Sequence, residues 1–285
     1  MLNKNWMESR YTLGSLVARS AAMQRLVRQA SLQTHSDASL LVVGDTGTGK
    51  SMLSRAIHNS SSRGPLPFVA VAAARLTPDA CESILFGNAQ GESGALARAA
   101  GGTLLLRDVE ELGPVAQERI SQLLSSAAFT TAAGERCTVN FRLMCTGHTG
   151  DLAERLARGM FSEELYSQLS SSVLTMPTLT ERNADIPYLV SDILRNFAER
   201  ERVSRPSVPY HYMELLTRVE WPENVQQLRN HVESVMALSD GRFDPAIVLA
   251  HFEETASPQS LKSLVQELLH KLVVAPQAAS ASATN

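Results

Sequence analysis

The sequence has few cysteines, no long apolar run and little net charge, and each absence excludes a class of protein. Its three cysteines, odd in number and without paired spacing, argue against a disulfide framework or a zinc site and indicate a reducing compartment. No apolar run of about 18 residues occurs, and the charged segment Met1–Arg10 is not a signal peptide. The net charge of −3 indicates no whole-chain attraction to nucleic acid. We therefore predict a cytoplasmic protein with no membrane partner.

Strand-like apolar runs alternate with helical stretches in the first part of the chain. This alternation is typical of an α/β fold in which helices cover a parallel sheet. The predicted strands are Leu40–Val43, Phe68–Ala72, Thr103–Leu106 and Arg142–Thr146, and the predicted helices include Gln117–Leu124 and Leu152–Arg158. From Asp185 onward the strand pattern disappears, and the sequence predicts only helices. These are Ile186–Arg200, Tyr210–Val219, Val225–Leu238 and Pro245–Phe252.

A glycine-rich segment between the first predicted strand and a helix has the pattern of a phosphate-binding loop. Its residues are Gly44, Asp45, Thr46, Gly47, Thr48, Gly49, Lys50 and Ser51. In such a loop the backbone N–H groups, a lysine ammonium and the start of the helix direct positive charge at one phosphate. We predict that all eight residues bind ATP or ADP, and that the Ser51 hydroxyl contacts a Mg²⁺ ion.

Several ordered segments resemble the central AAA+ domain of sigma-54-dependent transcription activators, from Leu13 to Phe252. The matching segments are Phe68–Val71, Glu82–Gly87, Gly101–Leu104, Phe161–Tyr166, Asp185–Pro187 and Trp221–Val225. The resemblance implies an AAA+ P-loop domain with a parallel sheet covered by helices, followed by a small all-helical lid subdomain. The expected parts are an N-terminal segment at 1–12, the α/β nucleotide-binding subdomain at 13–178, the lid at 179–253, and an amphipathic helix with a disordered Ala/Ser tail at 254–285.

In that family ATP lies between neighbouring subunits of a ring, and its hydrolysis drives a loop against sigma-54. The expected partners are therefore copies of this chain or paralogous AAA+ subunits, together with transcription machinery or a regulatory protein. Only thirteen residues, Asn88–Ala100, occupy the interval of the family's Gly-Ala-Phe-Thr-Gly-Ala loop, and Gly91–Ala95 contains neither Phe nor Thr. We predict that the sigma-54 contact is absent, as in the aromatic-amino-acid regulators of this family.

The motif that hydrolyses ATP departs from the family pattern. Where the family has Asp-Glu after a strand, this chain has Arg107-Asp108, and Ala72 replaces the Asn that orients the Glu. Arg107 would repel Mg²⁺ or lie against a phosphate in its place, so Mg²⁺ binding is expected to be weak or absent. Asp108, one methylene shorter than Glu, is the best candidate for a catalytic base and a weak one, since it is equally well explained as a solvated carboxylate.

The arginines that complete the family's active site are also missing. Ser162 and Gln168 occupy the two arginine-finger positions. His148 follows Thr146-Gly147 where the family strand ends in Ala-Thr-Asn, and Gln226 replaces the lid arginine. Gln226 retains the ability to donate a hydrogen bond to a nucleotide phosphate, without a charge.

Three functions follow as hypotheses. The first is a transcription regulator that binds ATP or ADP with little or no hydrolysis and acts through protein contacts, in a mixed ring or as a scaffold. The second is a slow ATPase completed by arginines of a partner subunit. For this role Arg158 and Arg182 are weaker candidates, since surface salt bridges are the simpler expectation for both. The third is a nucleotide-independent interaction module.

The C-terminal part of the sequence predicts no DNA-reading domain. The helix predicted at Leu261–Val273 is similar to the one that leads into the family's helix-turn-helix, and the tail Ala275–Asn285 follows it. Lys262 and Lys271 are too few to form a phosphate-backbone patch.

Overall fold

The computed structural model describes residues 11–88, 90, 92–126, 128–130, 136–239, 243 and 247–248. The chain divides into two compact units between Pro177 and Thr178. Nearly all of the predicted N-terminal segment and of the helix at 245–252, and all of the helix at 261–273 and the tail, lie outside the described residues. No helix in the described part of the chain is long and apolar enough to cross a membrane.

The first unit contains a five-stranded parallel sheet in the order β2-β3-β6-β1-β7. The three central strands are almost entirely buried, as expected for parallel strands covered on both faces. The edge strand β7 was missed in the sequence because its four residues include only two apolar side chains. The strands are β1 Leu40–Val43, β2 Phe68–Ala72, β3 Thr103–Arg107, β4 Ala128–Thr130, β5 Arg136–Thr138, β6 Arg142–Gly147 and β7 Ser172–Thr175, of which β4 and β5 form a separate antiparallel pair.

Helices pack on both faces of this sheet. Because successive strand residues point to opposite faces, Leu104 and Leu106 belong to one apolar cluster and Leu105 to the other. The first cluster includes Ile120, and the second includes Leu53. The helices are α1 Ala21–Gln33, α2 Lys50–Asn59, α3 Cys81–Phe86, α4 Ala95–Arg98, α5 Pro114–Ser126, α6 Thr149–Ala157 and α7 Glu163–Leu169, with 3-10 turns at Leu13–Ser15, Ala73–Arg75 and Val109–Glu111.

The described part of the second unit is helical, with a 3-10 segment followed by three α-helices. The Trp221 indole N–H donates to the carbonyl oxygen of Leu216 at 3.0 Å. Asn224 has a left-handed backbone (φ 53), and its side-chain oxygen accepts a 2.7 Å bond from the Leu179 N–H. The bond between Leu179 and Asn224 therefore holds the start of the last described helix close to the start of the unit. The elements are the 3-10 segment Thr180–Asp185, α8 Ile186–Glu201, α9 Tyr210–Arg218 and α10 Asn224–Leu238.

Candidate nucleotide-binding site

The predicted phosphate loop lies between β1 and α2, and its three glycines have the backbone conformations that such a loop requires. The φ angles of Gly44, Gly47 and Gly49 are 152°, 73° and 104°. Side chains disfavour these values, whereas glycine adopts them at little cost. At Gly44 a Cβ would also lie 2.8 Å from the Cβ of Met176. The loop can therefore wrap closely around an anion only with glycine at these positions.

Hydrogen bonds hold the loop to the sheet and to itself. The Gly44 N–H donates to the carbonyl oxygen of Gly147 at 3.3 Å, and the Met176 N–H donates to that of Val43 at 2.8 Å. The Thr48 hydroxyl donates to the Asp45 carbonyl oxygen at 2.7 Å. Thr48 is only 1% exposed, so its side chain shapes the loop from inside.

Lys50 begins helix α2, and its ammonium group lies within the loop. The Nζ atom donates to the carbonyl oxygens of Gly44, at 2.8 Å, and Asp45, at 3.1 Å. Burial lowers the pKa of Lys50, while nearby carboxylates, with Asp108 and Glu110 acting most strongly, partly offset that decrease. The ammonium is thus placed where it can exchange carbonyl partners for phosphate oxygens.

The other predicted nucleotide-site residues of this unit lie at the start of α2 and at the carboxyl end of β3. Ser51 is exposed in the first turn of α2. Arg107 is exposed at the end of β3, opposite Ala72, and strand alternation places it on the face covered by α2. Asp108 is half-buried, has a left-handed backbone (φ 59), and its N–H donates to the Thr146 hydroxyl at 3.1 Å.

Glu110 is the site residue that sequence reasoning missed. It lies in the 3-10 turn after β3, is 7% exposed, and its Oε1 accepts a 2.9 Å bond from the His148 N–H. Burial raises the pKa of Glu110, although bonds from backbone N–H groups lower it in part. A glutamate in a turn directly after a buried strand was the only available signal, because the contact with His148 spans 38 residues.

His148 connects the phosphate loop to helix α6. Its Nδ1 accepts a 3.4 Å bond from the Asp151 N–H and caps that helix, while its Nε2 lies 3.7 Å from Oδ1 of Asp45. Gln226 is exposed in the first turn of α10, in the second unit. The structure thus brings together the phosphate loop, Asp108, Glu110 and His148.

Comparison with protein families matches residues 16–175 to the Sigma-54 interaction domain and residues 180–267 to the AAA+ ATPase lid domain. The first match alone spans more than half of the chain. The chain belongs to the sigma-54 activator family. This confirms the resemblance inferred from the ordered motifs.

Individual relatives of the sigma-54 activator family agree with this assignment. Transcriptional regulatory protein ZraR of Salmonella typhimurium is 33% identical over 237 residues, which cover 80% of this chain and 54% of that protein. HTH-type transcriptional regulatory protein TyrR of Enterobacter agglomerans is 36% identical over 235 residues, covering 79% and 45%. The chain therefore spans about half the length of the curated relatives it matches.

Solved structures confirm the predicted fold, an α/β P-loop domain with a helical second part. NtrX from Brucella abortus in complex with ATP has a TM-score of 0.78 at 30% identity, covering 94% of this chain and 63% of that chain. Its complex with ADP has the same TM-score at 31% identity, covering 96% and 64%.

At the arginine-finger positions of the sigma-54 activator family, both side chains bind within this chain. The Ser162 hydroxyl caps α7 by accepting a 3.2 Å bond from the Leu165 N–H. The Gln168 amide donates to the Ser125 hydroxyl at 3.0 Å. Neither residue carries the positive charge of a finger.

The two weaker finger candidates differ in their surroundings. Arg158 is exposed and forms a 2.6 Å ion pair with Glu154, as predicted. Arg182 is 2% exposed in the second unit, and burial lowers its pKa to about 10 despite the charge of Asp185. The prediction of a surface salt bridge for Arg182 was wrong, because the 3-10 segment that carries it is packed into the core of that unit.

Described residues are bonded to one another at the start of the interval that is predicted to lack the sigma-54 loop. Gly87 and Ser93 form an antiparallel bridge. Between them, the Asn88 N–H donates to the Glu92 carbonyl oxygen at 3.2 Å, and the Asn88 amide donates to the Glu92 carboxylate at 2.7 Å. These bonds close the turn on itself.

Proposed function

We propose that this chain is a transcription regulator of the sigma-54 activator family that binds ATP or ADP with little or no hydrolysis and acts through protein contacts. One contrast carries the proposal. The phosphate loop retains its glycine conformations and Lys50, whereas the finger positions are occupied by Ser162 and Gln168, which bind within the chain. The partners would be copies of this chain or paralogous AAA+ subunits, and transcription machinery.

Nucleotide binding is supported by the fit of the loop to a phosphate. Backbone N–H groups of the loop, other than that of Gly44, supply positive charge at one place together with the Lys50 ammonium and the start of α2. NtrX, whose structure this chain resembles, was solved with ATP and with ADP. In this proposal Arg107 contacts a phosphate.

The same proposal assigns Mg²⁺ a weak role or none. The Ser51 hydroxyl is available to an ion, and the carboxylate expected beside it is replaced by Arg107, which lies on the same face as α2. A guanidinium repels a divalent cation and can itself neutralise phosphate charge. Nucleotide binding should therefore depend little on Mg²⁺.

Loss of hydrolysis is supported by the missing arginines. An arginine finger accelerates phosphoryl transfer by about 10³- to 10⁵-fold because it neutralises charge in the transition state. Asp108 is the remaining candidate for the base that activates water, and its carboxylate is one methylene shorter than the family's Glu. A misplacement of about 1 Å can cost about a hundredfold in rate.

The proposal is tested by titrating the purified chain with ATP and ADP, with and without Mg²⁺, while measuring both the melting temperature and phosphate release. We expect both nucleotides to raise the melting temperature without phosphate release above the no-protein blank. Steady-state release at a rate typical of family ATPases would refute the proposal.

A slow ATPase completed by a partner's arginines is the second candidate. It is favoured by the position of Asp108, whose charge acts on Lys50 more strongly than that of any other carboxylate. Stimulation of phosphate release by a paralogous AAA+ subunit, and its loss in Asp108→Asn, would support this candidate.

The third candidate is a nucleotide-independent interaction module, which the sequence also allows. It predicts that Lys50→Ala leaves assembly and melting temperature unchanged, with or without ATP.

A further inference from the structure

The carboxylate of Glu110 is buried at the edge of the nucleotide site with half of its hydrogen-bonding capacity unused. Its Oε1 accepts the bond from the His148 N–H. Its Oε2 is buried and has no hydrogen-bond partner among the described residues. An ionised carboxylate is costly to bury in this state unless a positive charge or a ligand lies nearby.

Charged groups of both signs act on Glu110. Lys50 on α2 attracts the carboxylate, and Asp108 at the end of β3 repels it. Asp45 in the loop and Asp151 on α6 also act on Lys50. In the described ranges no three acidic, histidine or cysteine side chains are grouped to hold a metal ion. Glu110 therefore acts through its charge on Lys50 and on whatever Lys50 binds.

The glycine at the end of β6 makes room for this carboxylate. A Cβ added at Gly147 would lie 3.1 Å from Oε2 of Glu110, tighter than ordinary contact. Any side chain at this position would require the carboxylate to move by a few tenths of an ångström. Gly147 and the buried position of Glu110 thus fit together.

We infer that Glu110 determines which nucleotide the phosphate loop holds, by disfavouring the terminal phosphate of a triphosphate relative to a diphosphate. The inference rests on the proposed nucleotide binding. A phosphate-loop lysine reaches the β- and γ-phosphates. Glu110 lies in the turn after β3, bonds to His148 at the end of β6 and acts on Lys50, and its burial limits screening by water. Its charge would therefore repel the additional phosphate that Lys50 reaches in ATP. ADP lacks that phosphate and is repelled less.

The test measures dissociation constants for ATP and ADP by titration calorimetry on the full chain, without Mg²⁺. We expect wild type to bind ADP more tightly than ATP. Glu110→Gln keeps the shape and removes the charge, and should raise the affinity for ATP about tenfold, equivalent to about 1.4 kcal/mol, while changing that for ADP less than about threefold. The matched control is Glu111→Gln, which removes the same charge from the exposed neighbouring residue and should change neither constant.

The possible outcomes separate this inference from the proposed function. If wild type binds both nucleotides and Glu110→Gln leaves their ratio unchanged, the inference is wrong and the proposed nucleotide binding stands. If neither nucleotide binds wild type or the variant, both are wrong. A wild-type preference for ATP would overturn the inference without any variant, so the test does not depend on the folding of Glu110→Gln.

Discussion

The phosphate loop and the edge formed by the ends of β3 and β6 lie side by side, and we infer different functions for them. The loop keeps its three glycine conformations and its lysine. At the edge, Arg107, Asp108 and His148 replace the expected residues, and Glu110 adds a buried carboxylate. Phosphate binding uses the backbone of one continuous segment, whereas hydrolysis needs side chains from several elements. The second can therefore be lost while the first remains.

Three side chains at positions where the resemblance predicts other residues make structural contacts. Ser162 caps a helix, Gln168 binds Ser125, and His148 caps α6 beside the loop. Such contacts stabilise the subunit by about 1 kcal/mol each. They give these positions a role in folding that does not require catalysis.

The largest predicted effect is on nucleotide binding by the loop, and it concerns Lys50. At a nucleotide concentration about 100 times Kd, binding stabilises a protein by about 2.7 kcal/mol, which raises the melting temperature by about 5 to 10 °C. Lys50→Ala should abolish this rise for both ATP and ADP, because the loop loses its cation. Arg28→Ala, at an exposed position on α1, should retain it. An unchanged rise in Lys50→Ala would show that binding does not use the loop.

The next largest predicted effect is on the pH dependence of stability. It concerns His58, near the end of α2, which contacts strand β3 of the sheet. The Nδ1 atom of His58 lies 2.8 Å from the Thr103 hydroxyl, and burial lowers its pKa from 6.5 to about 4. Between these values the unfolded chain takes up a proton that the folded chain does not, so stability falls as the pH drops. The loss of unfolding free energy from pH 6.5 to 4.5 should be about 2 kcal/mol.

Urea unfolding at the two pH values measures this loss. His58→Asn, which keeps a polar group near the Thr103 hydroxyl, should remove most of the difference. His35→Asn, at an exposed position, should leave it intact. An equal pH dependence in wild type and His58→Asn would assign the titration to another group.

The third predicted effect is on the Mg²⁺ dependence of nucleotide binding, and it concerns Arg107 at the end of β3. Arg107→Asp places a carboxylate at the end of β3, where the resemblance predicts one, so nucleotide affinity should rise about tenfold on adding Mg²⁺, whereas wild type should change less than threefold. Calorimetric titration with Mg²⁺ or with a chelator measures both. A strong Mg²⁺ dependence in wild type would contradict the assignment of Arg107 to a phosphate.

The smallest effect concerns Gly147. In Gly147→Ala the added methyl group would displace the Glu110 carboxylate by a few tenths of an ångström. The preference for ADP over ATP should then weaken by about threefold or less, in the same direction as in Glu110→Gln. Gly113→Ala is the matched control, because a Cβ there meets no atom within 4 Å. If Gly147→Ala instead increased the preference for ADP over ATP, Gly147 would not act through Glu110.

Much of the fold could be predicted because its strands are continuous apolar runs. The bounds of β1 and β2 agree with the structure, and those of β3 and β6 differ by one residue. The edge strand β7 and the β4–β5 pair were missed, since strands of three or four residues with exposed positions carry no clear pattern.

Within the candidate site, the loop was predictable and the surroundings of Lys50 were not. The loop is contiguous, and its glycines specify the local backbone. The four carboxylates that act on Lys50 come from three parts of the chain, namely the loop itself, the turn after β3 and helix α6. Of these, Glu110 had no family motif to mark it.

By itself the sequence determined the strand, phosphate loop and helix around Lys50, because short-range glycine conformations and apolar runs specify them. Only the tertiary structure showed that Glu110 faces the loop, that Arg182 is buried, and that Arg142, at the start of an apolar strand, is 1% exposed and donates to the Gln33 carbonyl oxygen at 2.7 Å. Burial of a charged side chain depends on residues distant in sequence that pack around it. Local sequence patterns do not identify those neighbours.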